Sequence, residues 1–351
     1  LCHKYGMGVT FDVVFNHVYN VKSFNLANML PYYFFRYKDG KLGNASYCGN
    51  EVRTEAFFTR EYLKLLVKRF IDIYDLDGYR FDLMGILDVE TIEAIRDTAR
   101  SLKPDFLMYG EGWNMGDIVP FEYRAIKENA YKLEGVAFFN DDFRRTIRGN
   151  YIDDKNAYML GYVDARERVK RVMSGSYEYG LNINQTINYI ECHDNYTVYD
   201  KVSRFFDDEK MVTRICKLSM ALVMISRGIP FINSGEEFLR TKHGIDNTYN
   251  LDDSINMLDW HRKNNYLDVA RYFSDLCLLR KTYKEFTRED TSVEFIDYYE
   301  VLIYKLGDLT IYINPCIFDH VYNDEMEHEV IFDDSGFVNY KRSVLKIKAF
   351  S

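Results

Sequence analysis

The chain has 351 residues, of which 47% are hydrophobic and 16% aromatic, and this length and composition can support one large domain with a sizeable core and a second small one. Its formal net charge of -9 argues against a nucleic acid or an anionic membrane as a partner and favours a neutral or cationic ligand. No apolar segment reaches the ~20 residues of a membrane helix, so we expect a soluble globular protein.

Residues 1–285 alternate short apolar segments with longer amphipathic ones, a rhythm that predicts β-α units around a parallel sheet. Some of the short segments are apolar on both faces, as expected for parallel strands covered by helices. The predicted strands are 8–15, 78–81, 106–109, 135–139, 187–190 and 229–232. The predicted helices are 59–74, 89–102, 210–226 and 266–283.

Residues 286–351 lose the helical rhythm and read as strands joined by polar turns. The predicted strands are 293–298, 301–305, 310–313, 329–332 and 343–349. The spacing indicates a small antiparallel β-sandwich domain at the C-terminus.

The number of predicted parallel strands bears on the fold. A closed (β/α)₈ barrel has eight strands over ~250 residues, whereas six are predicted here. An open doubly wound sheet also accommodates six strands, but it has a Gly-rich loop after its first strand, and residues 16–20 contain no glycine. We therefore predict a (β/α)₈ TIM barrel that lacks its first two β-α units, with strands 3 to 8 in residues 1–285. Because Leu1 is not an initiator methionine, we also expect sequence upstream of it.

Three acids follow apolar strand-like segments: Asp82, Glu111 and Asp194. A carboxylate is costly beside such a segment unless another group pairs with it or the protein uses it chemically. Parallel strands end at one edge of a sheet, so these acids are candidates for a shared active site.

Asp82 ends the sequence Gly78-Tyr79-Arg80-Phe81-Asp82. Side chains alternate along a strand, so Arg80 and Asp82 should share one face. One interpretation is a buried ion pair that only organises the core. The other is a carboxylate nucleophile whose pKa is lowered by the neighbouring arginine.

Glu111 lies between two glycines and close to Trp113, where we expect few polar side chains and hence a raised pKa that suits a general acid. A loop glutamate that faces water is the alternative. Together with Asp82, Glu111 completes the two-carboxylate arrangement of glycoside hydrolysis.

Asp194 stands between His193 and Asn195, a mixture of hydrogen-bonding groups that suits sugar hydroxyls. A structural His-Asp pair is the alternative, and a serine-hydrolase triad is disfavoured because no Gly-x-Ser-x-Gly elbow accompanies it. In residues 12–17, Asp12 should hold loops by hydrogen bonds and His17 could contact a substrate. No metal site or other cofactor is indicated, because the spacing of metal-ligand motifs is absent; calcium is possible but not indicated.

The four strand ends together resemble the four signature segments of the alpha-amylase superfamily, glycoside hydrolase family 13. The segments are residues 12–17, 78–82, 110–113 and 193–195. The flanking residues 82–86, 110–113, 193–197, 228–242 and 253–260 resemble type I pullulanases in particular.

This resemblance implies a retaining hydrolase that cleaves α-1,6-glucosidic branch linkages in pullulan, glycogen or starch-derived dextrins through a covalent glycosyl-enzyme intermediate. It implies Asp82 as nucleophile, Glu111 as acid/base and Asp194 as transition-state stabiliser. The residues that it implies for substrate binding are His17, Arg80, Leu83, Trp113, His193 and Asn195. An α-1,4-acting amylase or transglycosylase and a non-catalytic glucan-binding protein remain open as alternatives.

The resemblance also sets expectations for the state of the protein. Members of the family begin their barrel with two further β-α units, so we expect activity of the parent protein and doubt it for this chain alone. The expected partner is an α-glucan, and the expected state is a monomer.

Six widely spaced cysteines without a Cys-x-x-Cys pair indicate neither zinc nor a disulfide framework, and they favour a reducing compartment such as the cytoplasm.

Overall fold

The chain divides into two units in a computed structural model that describes residues 1–175 and 181–351. Among the described residues, the first unit comprises Leu1–Phe139 and 181–186, and the second comprises 140–175 and 187–351. None of the helices in the described part of the chain combines the length and the apolarity needed to cross a membrane.

The first unit is built around four parallel strands that pair in chain order. They are β1 (Thr10–Val13), β2 (Gly78–Phe81), β3 (Leu107–Gly110) and β4 (Ala137–Phe139). Two further antiparallel pairs of two-residue strands, His17–Val18 with Asn50–Glu51 and Tyr37–Lys38 with Lys41–Leu42, lie in the segment between β1 and β2. All residues of β2 are buried, as expected for a strand inside a parallel sheet.

The described residues of the first unit form the α-helices α1 (Asn25–Met29), α2 (Phe57–Tyr74) and α3 (Val89–Leu102). Helix α2 buries Leu63, Val67 and Ile71, which recur every four residues and form one apolar stripe. Helix α3 begins where the side chain of Asp88 caps it by accepting a hydrogen bond from the Thr91 amide at 2.9 Å.

The second unit contains parallel strands β5 (Thr186–Asn188, beginning one residue before the unit) and β6 (Ile229–Pro230). Its helices are α4 (Asp141–Ile147), α5 (Arg166–Met173), α6 (Val198–Val202), α7 (Glu209–Ile225), α8 (Asp253–Asn256), α9 (Trp260–Asn265) and α10 (Leu267–Thr282). Helix α7 is buried along most of its length from Val212 onward and forms the centre of the hydrophobic core of this unit.

The C-terminal part of the second unit is antiparallel. Strands β7 (Val293–Tyr298), β8 (Val301–Leu306) and β9 (Leu309–Ile313) form a three-stranded sheet, and β10 (His320–Asp333) pairs with β11 (Gly336–Ile347) in a long hairpin. The α/β character of the chain, with parallel strands, helices and a C-terminal antiparallel part, agrees with the sequence prediction.

The structure differs from the prediction in the lengths of some elements. The strand expected at 187–190 ends at Asn188, and the one expected at 229–232 contains only Ile229–Pro230. In the other direction, the strands expected at 329–332 and 343–349 belong to a hairpin whose strands have 14 and 12 residues. This hairpin contains the mostly polar segment 323–328, which interrupts the apolar pattern from which strands are predicted.

Candidate active site

Asp82 and Glu111 occupy equivalent positions after neighbouring strands of the first unit. Phe81, the last residue of β2, is aligned with Gly110, the last residue of β3. The backbone ladder continues past the strand ends, because the Glu111 amide donates to the Phe81 carbonyl at 3.1 Å and the Asp82 amide to the Val13 carbonyl at 3.1 Å. The two acids therefore emerge side by side at the carboxyl end of the sheet.

Arg80 links three carboxylates of this unit. Its Nη1 donates to Oδ1 of Asp12 at 2.8 Å and to Oδ1 of Asp82 at 3.2 Å, while its Nη2 donates to Oε1 of Glu111 at 2.5 Å. Burial acts to lower the pKa of Arg80, but Glu111, Asp12 and Asp82 together raise it above its usual value. The guanidinium is thus a permanent cation that holds the two strand-end acids together.

The surroundings of Glu111 are more polar than the sequence suggested. One carboxylate oxygen accepts from Arg80, and the other, Oε2, accepts from the Leu83 amide at 2.9 Å. The expectation of few polar partners was wrong, because both donors come from the segment 80–83, about thirty residues earlier in the chain. The expected raised pKa of Glu111 stays a prediction.

The backbone after β2 adopts an unusual conformation that serves Glu111. Leu83 has a φ of 40°, in the left-handed region that residues other than glycine rarely adopt. This turn directs its amide to the Glu111 carboxylate. Two residues later, a Cβ on Gly85 would lie 1.9 Å from the carbonyl oxygen of Trp113, so only glycine permits the close approach of these segments.

Asn16, which was not among the predicted site residues, also supports Asp82. Its Nδ2 donates to the Asp82 carbonyl at 2.5 Å and lies 3.4 Å from Oδ2 of the same residue. Asn16 Oδ1 in turn contacts Nδ1 of His17. Burial lowers the pKa of His17, and the charge of Asp82 opposes this shift. The position of Asn16 at the end of a predicted strand, beside His17, was a signal that could have identified it.

Trp113 lies in the same unit but has a different neighbour. The Lys127 ammonium lies 5.1 Å from the centroid of the Trp113 ring, within the range of a cation-π interaction. Of the residues expected in the site, the first unit brings Arg80, Asp82, Leu83 and Glu111 into direct contact, with His17 joined to them through Asn16.

The second unit carries His193, Asp194 and Asn195 on a loop. Asp194 does not directly follow a strand as predicted, because β5 ends at Asn188. Its side chain is 51% exposed, and Oδ1 lies 3.6 Å from Nε2 of His193. This separation is too long for a hydrogen bond, so the carboxylate is open to solvent and to a ligand.

Buried Glu191 fastens this loop to its unit. Oε2 accepts from the Val198 amide at 2.7 Å and Oε1 accepts from Nδ2 of Asn233 at 2.9 Å. Burial raises the pKa of Glu191 and also that of Glu236, whose Oε2 accepts from the Asn233 amide at 3.1 Å. Glu191 was not among the site residues predicted from the sequence.

Besides the acids of the site, the chain contains side chains of the types that can bind a metal ion or form a disulfide. No group of three or more His, Cys, Asp or Glu side chains in the described ranges is placed to hold a metal ion. All six cysteines, which lie in those ranges, are free thiols. What the first unit shows is two carboxyl groups held close together by one arginine, an arrangement that suits carboxylate-based catalysis.

Comparison with known proteins identifies a consistent group of relatives. No protein-family model matches the chain. The chain is 33% identical to a pullulanase of Bacillus subtilis over 362 residues, which span 95% of this chain and 50% of that protein. The chain therefore spans about half the length of that curated relative.

Solved structures agree with this similarity. The structure of a type I pullulanase from Bacillus subtilis complexed with maltose matches 99% of this chain and 53% of that chain with a TM-score of 0.93 at 31% identity. A pullulanase from Anoxybacillus complexed with maltotetraose matches 99% of this chain and 54% of that one with a TM-score of 0.93 at 30% identity. The resemblance to pullulanases inferred from the strand-end segments is confirmed.

Proposed function

We propose that this chain, which is pullulanase-like in sequence and fold, carries the catalytic carboxylates of a debranching glycoside hydrolase. The bond cleaved would be the α-1,6-glucosidic linkage of pullulan, glycogen or starch-derived dextrins. The observation that carries the proposal is the pair Asp82 and Glu111, held at neighbouring strand ends by the single guanidinium of Arg80. The maltose and maltotetraose bound by the similar structures support an α-glucan as the substrate.

The two acids would divide the chemistry. The Asp82 carboxylate attacks the anomeric carbon while protonated Glu111 gives its proton to the glycosidic oxygen, so the glycosidic bond breaks and a glycosyl ester of Asp82 forms. Glu111, now a carboxylate, takes a proton from the water that attacks the same carbon. That attack releases the sugar, regenerates Asp82 and gives net retention of configuration.

Glu111, as the proton donor, must be neutral before the first step and becomes a carboxylate after it. Arg80 and the Leu83 amide both donate to the ionised form. The same donors would stabilise Glu111 once it has given up its proton to the leaving group. They would also align its oxygens between the first and second steps, when it changes from acid to base.

The spacing of the two carboxyl groups predicts the stereochemistry. Retaining enzymes hold them about 5–5.5 Å apart, whereas inverting enzymes leave room for a water and hold them roughly 6.5–9.5 Å apart. Asp82 and Glu111 each accept from the same guanidinium, one on Nη1 and one on Nη2. This close bridging favours the retaining geometry.

The remaining residues would bind the sugar. We assign Asp194 the role of transition-state stabiliser, since its exposed carboxylate can accept hydrogen bonds from ring hydroxyls. His17 and His193 would contact the sugar at the cleavage point, and Leu83, Trp113 and Asn195 would line neighbouring glucose sites. Arg80, also among the residues expected to bind the substrate, would tune Asp82.

We also propose an amylase-type arrangement for the fold. Residues 1–285 would supply strands 3 to 8 of a (β/α)₈ barrel, and residues 286–351 the small antiparallel β-sandwich that follows it. The support is the similarity to pullulanase structures along 99% of the chain.

The proposal is tested on pullulan with the full natural reading frame that contains this chain. Release of maltotriose would support it. Hydrolysis of linear amylose without pullulan cleavage would overturn the linkage, and oligosaccharide binding without any turnover would overturn the activity.

Asp82→Asn tests the nucleophile. This change keeps the size of the side chain but removes the attacking charge, so kcat should fall by a factor on the order of 10⁴ to 10⁶ with the fold intact. The matched control is Asp97→Asn on the exposed surface of α3, which should leave kcat unchanged. Equal activity of the two variants would contradict the assignment.

A further inference from the structure

Lys242 is buried in the second unit and uses all its donors on backbone oxygens. It is 2% exposed, and its Nζ donates to the carbonyls of Asn195 at 2.7 Å, Asp246 at 3.0 Å and His193 at 3.1 Å. An ammonium group has three N–H donors and no acceptor. Its hydrogen-bonding capacity is therefore filled by three converging carbonyls.

Two of these carbonyls flank Asp194 in the chain. The side chain of Asp194 is half-exposed and has a weak contact with His193, so neighbouring side chains do little to orient it. The backbone on both sides is held by one buried cation instead. The location of the Asp194 Cα, and the direction in which its carboxylate leaves the loop, are set by these contacts.

The other residues around the loop reinforce the same geometry. Asn195 has a φ of 62°, a left-handed conformation that reverses the chain directly after Asp194. Its Oδ1 accepts from Nη1 of Arg144 at 2.9 Å. Nη1 of Arg148 donates to the carbonyl of Tyr196 at 3.2 Å. The loop is thus held by basic side chains that act on its backbone and on Asn195.

Lys242 is itself held in place by α6. Its amide donates to Oδ2 of the buried Asp200 at 2.8 Å, and the hydroxyl of Thr241 donates to Oδ1 of the same carboxylate. Asp200 lies in α6, which directly follows the loop. A buried ammonium is costly unless it is fully hydrogen-bonded, so the three carbonyls and the lysine stabilise each other.

We infer that Lys242 is a positioning residue, whose ammonium holds the carbonyls of His193 and Asn195 and so fixes the direction of the Asp194 carboxylate. The inference rests on the proposed function in that Asp194 is taken to act on the substrate. Lys242 itself touches no reacting atom, since its donors are occupied by backbone oxygens.

The test compares Lys242→Met with Lys201→Met in the full natural reading frame. Methionine keeps an unbranched stem and removes the ammonium. Lys201 is a matched control, because it is also 2% exposed and its Nζ donates to a carbonyl outside the loop, that of Tyr151. Both variants should lose stability to a similar extent.

Turnover should separate the two variants. At a temperature where both are folded, Lys242→Met should lower kcat on pullulan roughly 10- to 100-fold, since a misplacement of about 1 Å can cost that much. Its KM should change by less than about threefold, because a misplaced transition-state contact reduces kcat rather than ground-state binding. Lys201→Met should keep kcat within a factor of about two, as expected for a residue outside the site. Equal kcat values would overturn the inference.

Hydrogen–deuterium exchange gives a reading that does not need activity. Peptides covering residues 191–198 should exchange faster in Lys242→Met than in Lys201→Met. If the parent protein does not cleave pullulan, the proposed function fails, and the exchange result alone decides whether Lys242 holds the loop. Equal exchange in the two variants would overturn it.

A second variant covers the case in which Lys242→Met does not fold. Lys242→Arg keeps the charge, but its planar fork does not match three converging carbonyls. We expect it to fold and to lower kcat roughly 10-fold with little change in KM. A kcat equal to that of the wild type would contradict the inference.

Discussion

The two units hold their acids by opposite means. In the first unit, Asp82 and Glu111 are gripped through their side chains by Arg80. In the second, the carboxylate of Asp194 is half-exposed and the backbone around it is held by buried groups. A carboxylate that forms a bond or exchanges a proton needs its charge controlled, whereas one that contacts hydroxyls needs a direction and an open face. Loss of the Arg80 cation should therefore change the stability of the first unit and the charge state of its acids. Loss of the Lys242 cation should change the direction of the Asp194 carboxylate.

Removal of the Arg80 guanidinium breaks the first arrangement and has the largest expected effect on stability. Arg80→Met removes the guanidinium that contacts Asp12, Asp82 and buried Glu111 and leaves these carboxylates close together. The free energy of unfolding at pH 7 should fall by about 3–5 kcal/mol, as for other buried pairs that lose one partner. Urea unfolding measures the change.

Arg96→Met is the control for this variant. Arg96 donates to exposed Asp97 and to the carbonyl of Glu134, so its loss should cost less than about 1 kcal/mol. The deficit of Arg80→Met should also shrink as the pH is lowered from 7 to 4, because protonation removes the repulsion between the crowded carboxylates. A loss no larger than that of Arg96→Met would show that Arg80 is not the clamp.

Buried Glu236 of the second unit should make the stability of the protein depend on pH, which contrasts with the paired acids of the first unit. Burial raises the pKa of Glu236, and its Oε1 is buried without a hydrogen-bond partner in the described part of the chain. In the pH range between the ordinary and the raised pKa, the folded protein binds more protons than the unfolded one, so stability should fall as the pH rises. Glu236→Gln removes one of these protonations and should make the decline of stability with rising pH shallower than in the wild type.

Thermal or urea unfolding across this pH range provides the measurement. Glu93→Gln, on the exposed face of α3, should leave the slope of stability against pH unchanged. A slope that is the same in Glu236→Gln and in the wild type would mean that Glu236 titrates as an ordinary carboxyl group.

The smallest expected effect is a change in the pKa of His17 when the charge of Asp82 is removed. Burial lowers the pKa of His17, and the negative charge of Asp82 raises it. Asp82→Asn removes only the second contribution, so the pKa of His17 should move further down. Titration of the imidazole by NMR measures the shift, and Asp97→Asn serves again as the control. An unchanged or raised pKa would contradict the placement of Asp82 beside His17.

Local periodicity was sufficient wherever neighbours in sequence decide the structure. The alternation at residues 78–82 correctly put Arg80 and Asp82 on one face, and the bounds of β2, α3 and β7 agree with the prediction. The hairpin β10–β11 was predicted too short because its polar positions break the apolar pattern, although its backbone pairs on both sides of them, with a register shift between Asn323 and His328. Here hydrogen bonding between strands prevailed over local apolar content.

The sequence by itself determined the strand-end positions of Asp82 and Glu111, the face that Asp82 shares with Arg80, and the resemblance to pullulanases, because these depend on residue type and on spacing of a few positions. Only the tertiary structure decided what surrounds the acids. The donors to Glu111 come from residues 80–83, and the cation that holds the Asp194 loop is Lys242, 47 positions beyond Asn195. Such contacts depend on how distant segments pack, and no pattern within one segment encodes which of many buried charges becomes the partner.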